Sequence, residues 1–195
     1  MKALRASLAA GPSILEHTNK YLSTQHAERA VDLILQCTGR RYFTGVGKSG
    51  LAAMRMASSL TSIGLPAHFV HGAEIAHGEL GGIGAGDLVT AVSHSGRTAE
   101  VAGVAREAAA RGVPVVAVVG GGAAAAAASP LGQAATHVVP YALPDAEPHG
   151  GVPSMSIIAQ EMAANALVRS LAKRDGFDAA RFKANHPGGA LGASL

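Results

Sequence analysis

The sequence predicts an α/β fold: a doubly wound, five-stranded parallel sheet flanked by helices, with additional helices at the N-terminus. Three observations carry this prediction. Apolar runs such as Val113-Pro114-Val115-Val116-Ala117-Val118-Val119 lack polar alternation, as strands buried on both faces require. These runs alternate with stretches of helical composition, the pattern of a parallel sheet. Several run into Gly- and Ser-rich turns, and such sheets bind ligands at the carboxyl ends of their strands.

The totals agree. A chain of 195 residues, 48% hydrophobic and 15% charged, suits one domain with a well-buried core. We divide it into an N-terminal helical segment, 1–39, packed on a ligand-binding domain, 40–195. The formal charge is +3 and the basic residues are scattered; aromatics are 4%, with no Trp. Single-strand nucleic-acid binding wants stacking platforms, so no nucleic-acid partner is expected. The single cysteine, Cys37, allows no internal disulfide and suits a reducing cytoplasm. Met1-Lys2-Ala3-Leu4-Arg5 resembles a charged leader, but Gly11-Pro12-Ser13 ends its apolar stretch early, so no signal peptide is expected. No segment approaches the run of about 20 apolar residues that a membrane span needs.

Residues 13–37 carry two helical stretches. Ser13 follows Pro12 and has Glu16 three residues on, a capping-box spacing. Ile14, Leu15, Tyr21 and Leu22 recur at helical spacing as the buried side. Ser23 or Thr24 can cap the second stretch, whose apolar face is Ala27, Ala30, Val31, Ile34 and Leu35. The expected role of both is packing, including against a second subunit. From Arg40 the pattern changes. Arg41-Tyr42-Phe43-Thr44 is a strand, and a helix follows over 51–63. Pro66-Ala67-His68-Phe69-Val70 is the second strand, followed by a Gly- and His-rich loop over 71–86. Leu88-Val89-Thr90-Ala91-Val92 is the third, with a helix ending near Arg111. After the fourth strand, the apolar run from Val113, Gly120-Gly121-Gly122 breaks the chain, and the all-alanine stretch 123–128 is helical by propensity. Thr136-His137-Val138-Val139-Pro140 is the fifth strand. A Pro- and Gly-rich loop, 141–153, leads to a long helix over 154–173, with Ile157, Ile158, Met162, Ala166 and Leu167 as its buried side.

Ser93-His94-Ser95-Gly96-Arg97-Thr98-Ala99-Glu100 lies where the third strand gives way to a helix. Free backbone N–H groups and the helix dipole suit a phosphate or carboxylate there, three hydroxyls crowd the same turn, and Gly96 permits close approach. The plainer reading is a helix cap with spare serines. Gly45-Val46-Gly47-Lys48-Ser49-Gly50 fits the dinucleotide fingerprint, but the second strand ends in Phe69-Val70-His71, without a carboxylate for a ribose. Tyr42 stands where a P-loop needs glycine. What remains is a tight turn that delivers Lys48 and Ser49 to the sheet edge where Ser93 lies; a purely structural turn leaves Lys48 unexplained. The loop from His71 to Leu80 holds His71, Glu74, His77 and Glu79, residue types for metal binding or acid–base work. The His-Glu-x-x-His spacing is absent, and polar surface is the plainer reading there, as for His68, His94 and His137. His186, just before Pro187, is held extended, either as a tail turn or as an acid–base group on a loop that folds back.

Together these motifs resemble the sugar isomerase (SIS) domain of the arabinose-5-phosphate isomerase family. The resemblance rests on Gly45-Val46-Gly47-Lys48-Ser49-Gly50, Ala76-His77-Gly78-Glu79-Leu80, Ser93-x-Ser95-Gly96-x-x-x-Glu100 and His186-Pro187-Gly188-Gly189-Ala190-Leu191-Gly192, in that order. It covers nearly the whole chain; the His77 and His186 motifs are the more specific. It implies a SIS fold, a sugar phosphate as ligand and a homotetramer. The implied reaction interconverts ribulose 5-phosphate and arabinose 5-phosphate, feeding an eight-carbon sugar acid of bacterial surface polysaccharide (a lipopolysaccharide precursor). It further implies Lys48, His77, Glu100 and His186 as active-site residues, and Ser49, Ser93, Ser95 and Thr98 as phosphate-binding ones. The family's loop glutamate, in a Glu-Ala-Cys-Pro pattern, corresponds by spacing from Pro148 to Asp145, with Glu147 two residues on as the alternative. Arg97 stands where relatives often carry an acidic or small residue and can add a phosphate contact; Asn165 stands where they often carry Asp. Family members often continue into paired CBS domains, and this chain reaches Leu195 soon after the His186 motif without them.

The implied chemistry needs a base to move a proton between C1 and C2 through an enediol, an acid at the oxygens and help in ring opening. Glu100, or the Asp145/Glu147 position, is the expected base; His77 or His186 serves ring opening or oxygen protonation; Lys48 offsets charge on the enediolate. No redox cofactor or metal is required. Two other readings stand beside it: a non-catalytic SIS sensor that binds a sugar phosphate, and an isomerase of another hexulose or heptose phosphate.

Overall fold

The structure, a computed structural model, describes residues 2–147 and 151–188. Pro148 and the Gly189–Gly192 part of the carboxy-terminal motif lie outside the described residues.

The chain runs α1 (Lys2–Tyr21), α2 (Thr24–Gln36), β1 (Arg41–Gly45), α3 (Gly47–Ser62), β2 (Ala67–His71), α4 (Gly72–Ile75), a 3-10 turn (Glu79–Gly82), β3 (Leu88–Ser93), α5 (Ala99–Ala110), β4 (Val115–Val119), α6 (Gly122–Ala128), α7 (Pro130–Ala134), β5 (His137–Pro140), α8 (Met155–Arg174) and α9 (Ala179–Asn185). All five strands are parallel, in the order β2-β1-β3-β4-β5. The five strands thus fall where the sequence places them, to within a residue or two.

The central strands β1, β3 and β4 are buried on both faces, and their side chains alternate between two cores. Val116 and Val118 join Phe43, Met56, Leu60, Leu167 and Leu171 on one face. Val115, Ala117 and Val119 join Val101, Val104, Ala126 and Leu131 on the other. Helices α3 and α8 cover the first face, together with Ile14 of α1 and Val31 and Ile34 of α2; α4 to α7 cover the second. Helix α3 connects β1 outward to β2, and α5 connects β3 outward in the opposite direction to β4. Right-handed crossovers in opposite directions put helices on opposite faces, so the chain reverses between β1 and β3. A crevice opens at such a switch point.

Four sequence expectations need correction. Helix α1 starts at Lys2, not Ser13, and passes through Pro12. Residues 3–10 are rich in alanine and leucine, strong helix formers. Pro12 removes one N–H bond to the carbonyl of Leu8, and that side of the helix faces outward, with Leu8 69% exposed, so water can satisfy the released carbonyl. Of the side expected to be buried, Ile14 is, while Leu15 and Tyr21 are exposed. Helix α3 begins inside the glycine motif, so Lys48 and Ser49 belong to its first turn, four residues earlier than composition indicates. Of the buried side expected for helix α8, Leu167 is buried, but Ile158 and Ala166 are exposed, and the rest of the inward face is Ser156, Ala159, Gln160, Ala163, Ala164 and Leu171. A small-residue stripe lets α8 lie close to α3, which the bulkier Ile157–Ile158–Met162 side would prevent; that side lines a surface groove with Leu15 and Asn165 instead. Helices α7 and α9 have no counterpart in the sequence expectations, nor does α4, which falls within the expected 71–86 loop.

Candidate functional site at the carboxyl edge of the sheet

The glycine motif works by packing. A Cβ on Gly45 would lie 2.9 Å from the Gly50 nitrogen, and one on Gly50 3.0 Å from the Gly45 oxygen. Strand β1 and helix α3 therefore meet backbone to backbone. Gly47 starts the helix at φ +60, a left-handed conformation that glycine adopts without strain. The turn accordingly exists to begin α3 abruptly at the sheet edge. Its N-cap is Val46, which supplies no side-chain hydrogen bond, so the first N–H groups of α3 have no side-chain partner.

The Ser93 turn has the same property. Thr98 is the N-cap of α5 yet makes no side-chain cap bond. Its hydroxyl lies 3.1 Å from Ser93 Oγ, which also accepts from the Gly96 N–H at 3.1 Å. Ser95 Oγ accepts from the Arg97 N–H at 3.1 Å. None of the three hydroxyls caps the helix, which argues against a plain cap with spare serines. Gly96, at φ +64, is pressed against the side chain of Ser129, and its carbonyl accepts from the Leu131 N–H at 3.0 Å, fixing the turn on α7. Strands β1 and β3 are neighbours, with Thr44 opposite Ala91, about 4.8 Å apart. Two helix N-termini without side-chain caps, α3 and α5, thus flank the switch-point crevice, an arrangement suited to an anion.

Lys48 is exposed in the first turn of α3, Glu100 is exposed in the first turn of α5, and His77 is exposed in the turn after α4. All three lie at this edge. Ser49 is half-buried, its Oγ accepting from Gln160 Nε2 at 2.9 Å. Asp145 is exposed in the loop after β5, also at this edge.

Of the two carboxylates the sequence left open, Glu147 has another occupation. It accepts from the backbone N–H groups of Ser154, Met155 and Ser156 at 3.0, 2.9 and 2.7 Å, and from Ser154 Oγ at 3.0 Å. It is the anionic cap of α8. Burial raises its carboxyl, but the hydrogen bonds from Ser156, Met155 and Ser154 outweigh burial and hold it at about 2. A carboxylate so stabilised is a poor proton acceptor near neutrality.

His186 is not brought to this edge within the chain. It ends α9, which is tied to the far end of α3: Asn185 Nδ2 donates to the Ser62 carbonyl at 3.0 Å and Arg181 Nη2 to the Gly64 carbonyl at 2.9 Å. Lys48 and Ser62 lie at opposite ends of α3, about 20 Å apart. The imidazole stacks on Phe182 at 3.9 Å and donates from Nδ1 to the Phe182 carbonyl at 2.8 Å, which leaves Nε2 as the basic nitrogen of the neutral ring.

Three residues at the edge have no motif to announce them. His94 Nδ1 lies 2.8 Å from Tyr141 Oη. Tyr141 and Gln160 are buried, and Gln160 is the one long polar side chain on the inner face of α8. The sole signal in the sequence is a glutamine within an otherwise small or apolar stripe. His94 lines a cavity of about 350 Å³ with Ser95, Arg97, Gly120, Gly121 and Ser129. Burial pushes its imidazole below the ordinary value, partly countered by the Glu147 charge. A larger hollow of about 610 Å³ lies between His137 at the start of β5 and residues 24–32 of α2. It is at the opposite edge of the sheet, and both nearby histidines are tied to backbone carbonyls, His26 Nδ1 to Val138 and His137 Nε2 to His26. Among the described residues no group of three or more His, Cys, Asp or Glu side chains can hold a metal ion, and no helix is long and apolar enough to cross a membrane.

Comparison with known proteins matches this geometry. The chain is 34% identical over 182 residues to the arabinose 5-phosphate isomerase KdsD of Salmonella typhi, covering 93% of this chain and 54% of that protein. The chain therefore spans about half the length of the curated relatives it resembles. Among solved structures, E. coli CFT073 c3406 in complex with arabinose 5-phosphate superposes with a TM-score of 0.85 at 26% identity, over 95% of this chain and 96% of that one. The sugar isomerase domain of an RpiR transcription factor from Sphaerobacter thermophilus shares the fold, with a TM-score of 0.80 at 21% identity, over 96% of this chain and 97% of that one. Residues 34–170 match the SIS domain family, and the chain belongs to that family.

Proposed function

We propose that the chain is an aldose–ketose isomerase of a phosphorylated sugar, acting on D-arabinose 5-phosphate and D-ribulose 5-phosphate through an enediol. The observation that carries this reading is the pair of helix N-termini without side-chain caps at the switch point, flanked by Ser49, Ser93, Ser95 and Thr98, with Lys48 and Glu100 in the same two helix turns. A phosphate held there anchors the end of the sugar remote from reaction and orients its reacting carbons. In the open-chain aldose the base takes the C2 proton while O1 gains one, giving the enediol. Loss of the O2 proton and protonation at C1 then give the ketose. Glu100 or Asp145 is the base in this reading; Glu147 is left to its cap. His77 serves the sugar oxygens, and Lys48 offsets enediolate charge. The names of the arabinose 5-phosphate isomerase relative and of the arabinose 5-phosphate complex support the choice of sugar. In this reading the reaction belongs to the cytoplasm and leads toward bacterial surface polysaccharide.

The position of His186 supports an assembly, for which we propose a homotetramer. Held by α9 against α3 on the side of Ser62 and Gly64, away from the Lys48 turn of its own chain, His186 serves the site of a second copy. Mixing inactive Glu100→Gln and His186→Ala chains then restores activity at about a quarter of the sites in a one-to-one mixture. No recovery refutes the shared site.

The primary test is NMR-monitored incubation with ribulose 5-phosphate, arabinose 5-phosphate and several hexose phosphates. Exchange of the C1 or C2 proton with solvent identifies an isomerase and its sugar. Full activity in both Glu100→Gln and His186→Ala would sink the assignment. A sensor is the second reading, favoured by the exposure of Lys48, His77, Glu100 and Asp145 in the single chain; saturable binding without exchange supports it.

A further inference from the structure

Gln160 is 3% exposed on the inner face of α8, and a polar side chain buried there is costly unless its groups are paired. Its Nε2 donates to Ser49 Oγ at 2.9 Å. That bond fills an acceptor site on Ser49 and leaves the Ser49 proton for another partner. Tyr141 is fully buried, and burial pushes its phenol above the ordinary value, so it keeps its proton. Among the described residues its hydroxyl has one hydrogen-bond partner, His94 Nδ1 at 2.8 Å. A buried hydroxyl proton left unpaired is costly, so it goes to that nitrogen. Nδ1 is then the acceptor of the ring, and the imidazole proton sits on Nε2. Nε2 has no hydrogen-bond partner among the described residues, and the ring lines the cavity it shares with Ser95 and Arg97.

The buried phenol therefore fixes the His94 tautomer, while Gln160 separately frees the Ser49 hydroxyl proton. A purely structural role does not require the phenol: Phe at 141 fills the same volume without burying a hydroxyl.

We propose that His94 is a ligand-recognising residue, its Nε2–H donating to a carbonyl or hydroxyl oxygen of a sugar phosphate seated on the Ser93 turn, and that Tyr141 is the positioning residue that fixes its tautomer. The proposal rests on the sugar-phosphate reading of the site and adds to it a contact on the sugar side of the phosphate. His94 has this role as a neutral donor, comparable in kind to a backbone amide but aimed by side chains.

The test has one arm without ligand and one with it. Long-range nitrogen–proton NMR of the histidine rings at pH 8 is expected to show His94 as the Nε2–H tautomer, and Tyr141→Phe is expected to turn it into a mixture. An Nδ1–H tautomer in the unmodified protein overturns the proposal. In the second arm, calorimetry measures binding of arabinose 5-phosphate to Tyr141→Phe, His94→Ala and the double variant. Tyr141→Phe is expected to weaken binding about three- to tenfold, the effect of one net hydrogen bond, and to cause no further loss in the His94→Ala background. Equal losses in both backgrounds mean that Tyr141 acts by general packing, and the proposal fails. If Tyr141→Phe folds poorly, the tautomer of the unmodified protein and the loss in His94→Ala decide, and unchanged binding in His94→Ala overturns the proposal. If the unmodified protein binds arabinose 5-phosphate without isomerising it, the isomerase reading fails while the relay stands on the tautomer and the coupling. If it binds neither that sugar nor inorganic phosphate, both fail.

Discussion

Replacing Glu147 by Gln separates structure from chemistry in the loop before α8. The side chain keeps its length and one acceptor oxygen, so the change removes mainly charge. A carboxyl held at about 2 instead of 4.5 corresponds to about 3 kcal/mol of folding stability if fully transmitted. Glu147 retains contact with water, so screening reduces this to about 1–2 kcal/mol, comparable to other charged or polar helix caps. In a chain of this size that is a fall in Tm of about 2–8 °C. The folded-state carboxyl titrates below the unfolded one, so its contribution is complete above about pH 4.5 and vanishes as pH falls through about 2. Urea unfolding of both proteins at pH 7, 5, 4 and 3 should therefore show a difference that is constant from pH 7 to 5 and shrinks below. Activity per folded molecule should survive Glu147→Gln, while Asp145→Asn lowers it if Asp145 is the base. Equal stability at pH 7, a difference that grows toward pH 3, or loss of activity in a stably folded Glu147→Gln protein would each refute the assignment of Glu147 as a cap.

Other expectations concern the frame of the site. Gly96→Ala forces a Cβ into Ser129 at a positive φ and should cost about 2–4 kcal/mol in urea unfolding; adding Ser129→Gly should recover part of it, and an unaltered midpoint for Gly96→Ala counts against the described turn. Leu167→Ala should cost about 2–5 kcal/mol because Leu167 is fully buried, whereas Ile158→Ala, on the outer side of α8, should cost under about 1 kcal/mol in the monomer; a cost for Ile158→Ala as large as that for Leu167→Ala would put Ile158 back on the buried side, as expected from sequence. Burial pushes the Cys37 thiol up, only partly offset by Arg41, so iodoacetamide at pH 7.5 should modify it at least about threefold more slowly than free cysteine; an equal rate contradicts its half-buried placement.

The strands and the two strand-to-helix turns at the carboxyl edge are legible in the sequence because their signals are local. Unbroken apolar runs need a sheet covered on both faces, and in β4 Val116 and Val118 point into one core while Val115, Ala117 and Val119 point into the other. The inner face of α8 is not legible, because Ile157, Ile158 and Met162 are more hydrophobic than Ala159, Ala163 and Ala164, and hydrophobicity alone selects the wrong side. The choice depends on how near α3 lies, which is a tertiary fact. Pro12 suggests a helix start because proline usually marks one; the exposure of α1 at Leu8 removes much of the reason. His186 carries a motif but no indication of its edge, since α9 is placed by contacts to Ser62 and Gly64, more than a hundred residues earlier in the chain. Gln160 and Tyr141 belong to no pattern, and only their burial beside Ser49 and His94 makes them notable.

The uncapped starts of α3 and α5 have a consequence for how this site tolerates change. Main-chain amides are not encoded by any one codon, and no side-chain replacement short of proline deletes them. An anion held chiefly by such groups keeps its anchor while the side chains around it drift. The groups that would meet the rest of a ligand, from His94 and Arg97 to the loop carrying Asp145, have no such protection. If the proposed site holds, the molecule joins a mutationally insulated grip to an exchangeable selector, and a change of substrate can proceed at the selector without loosening the grip.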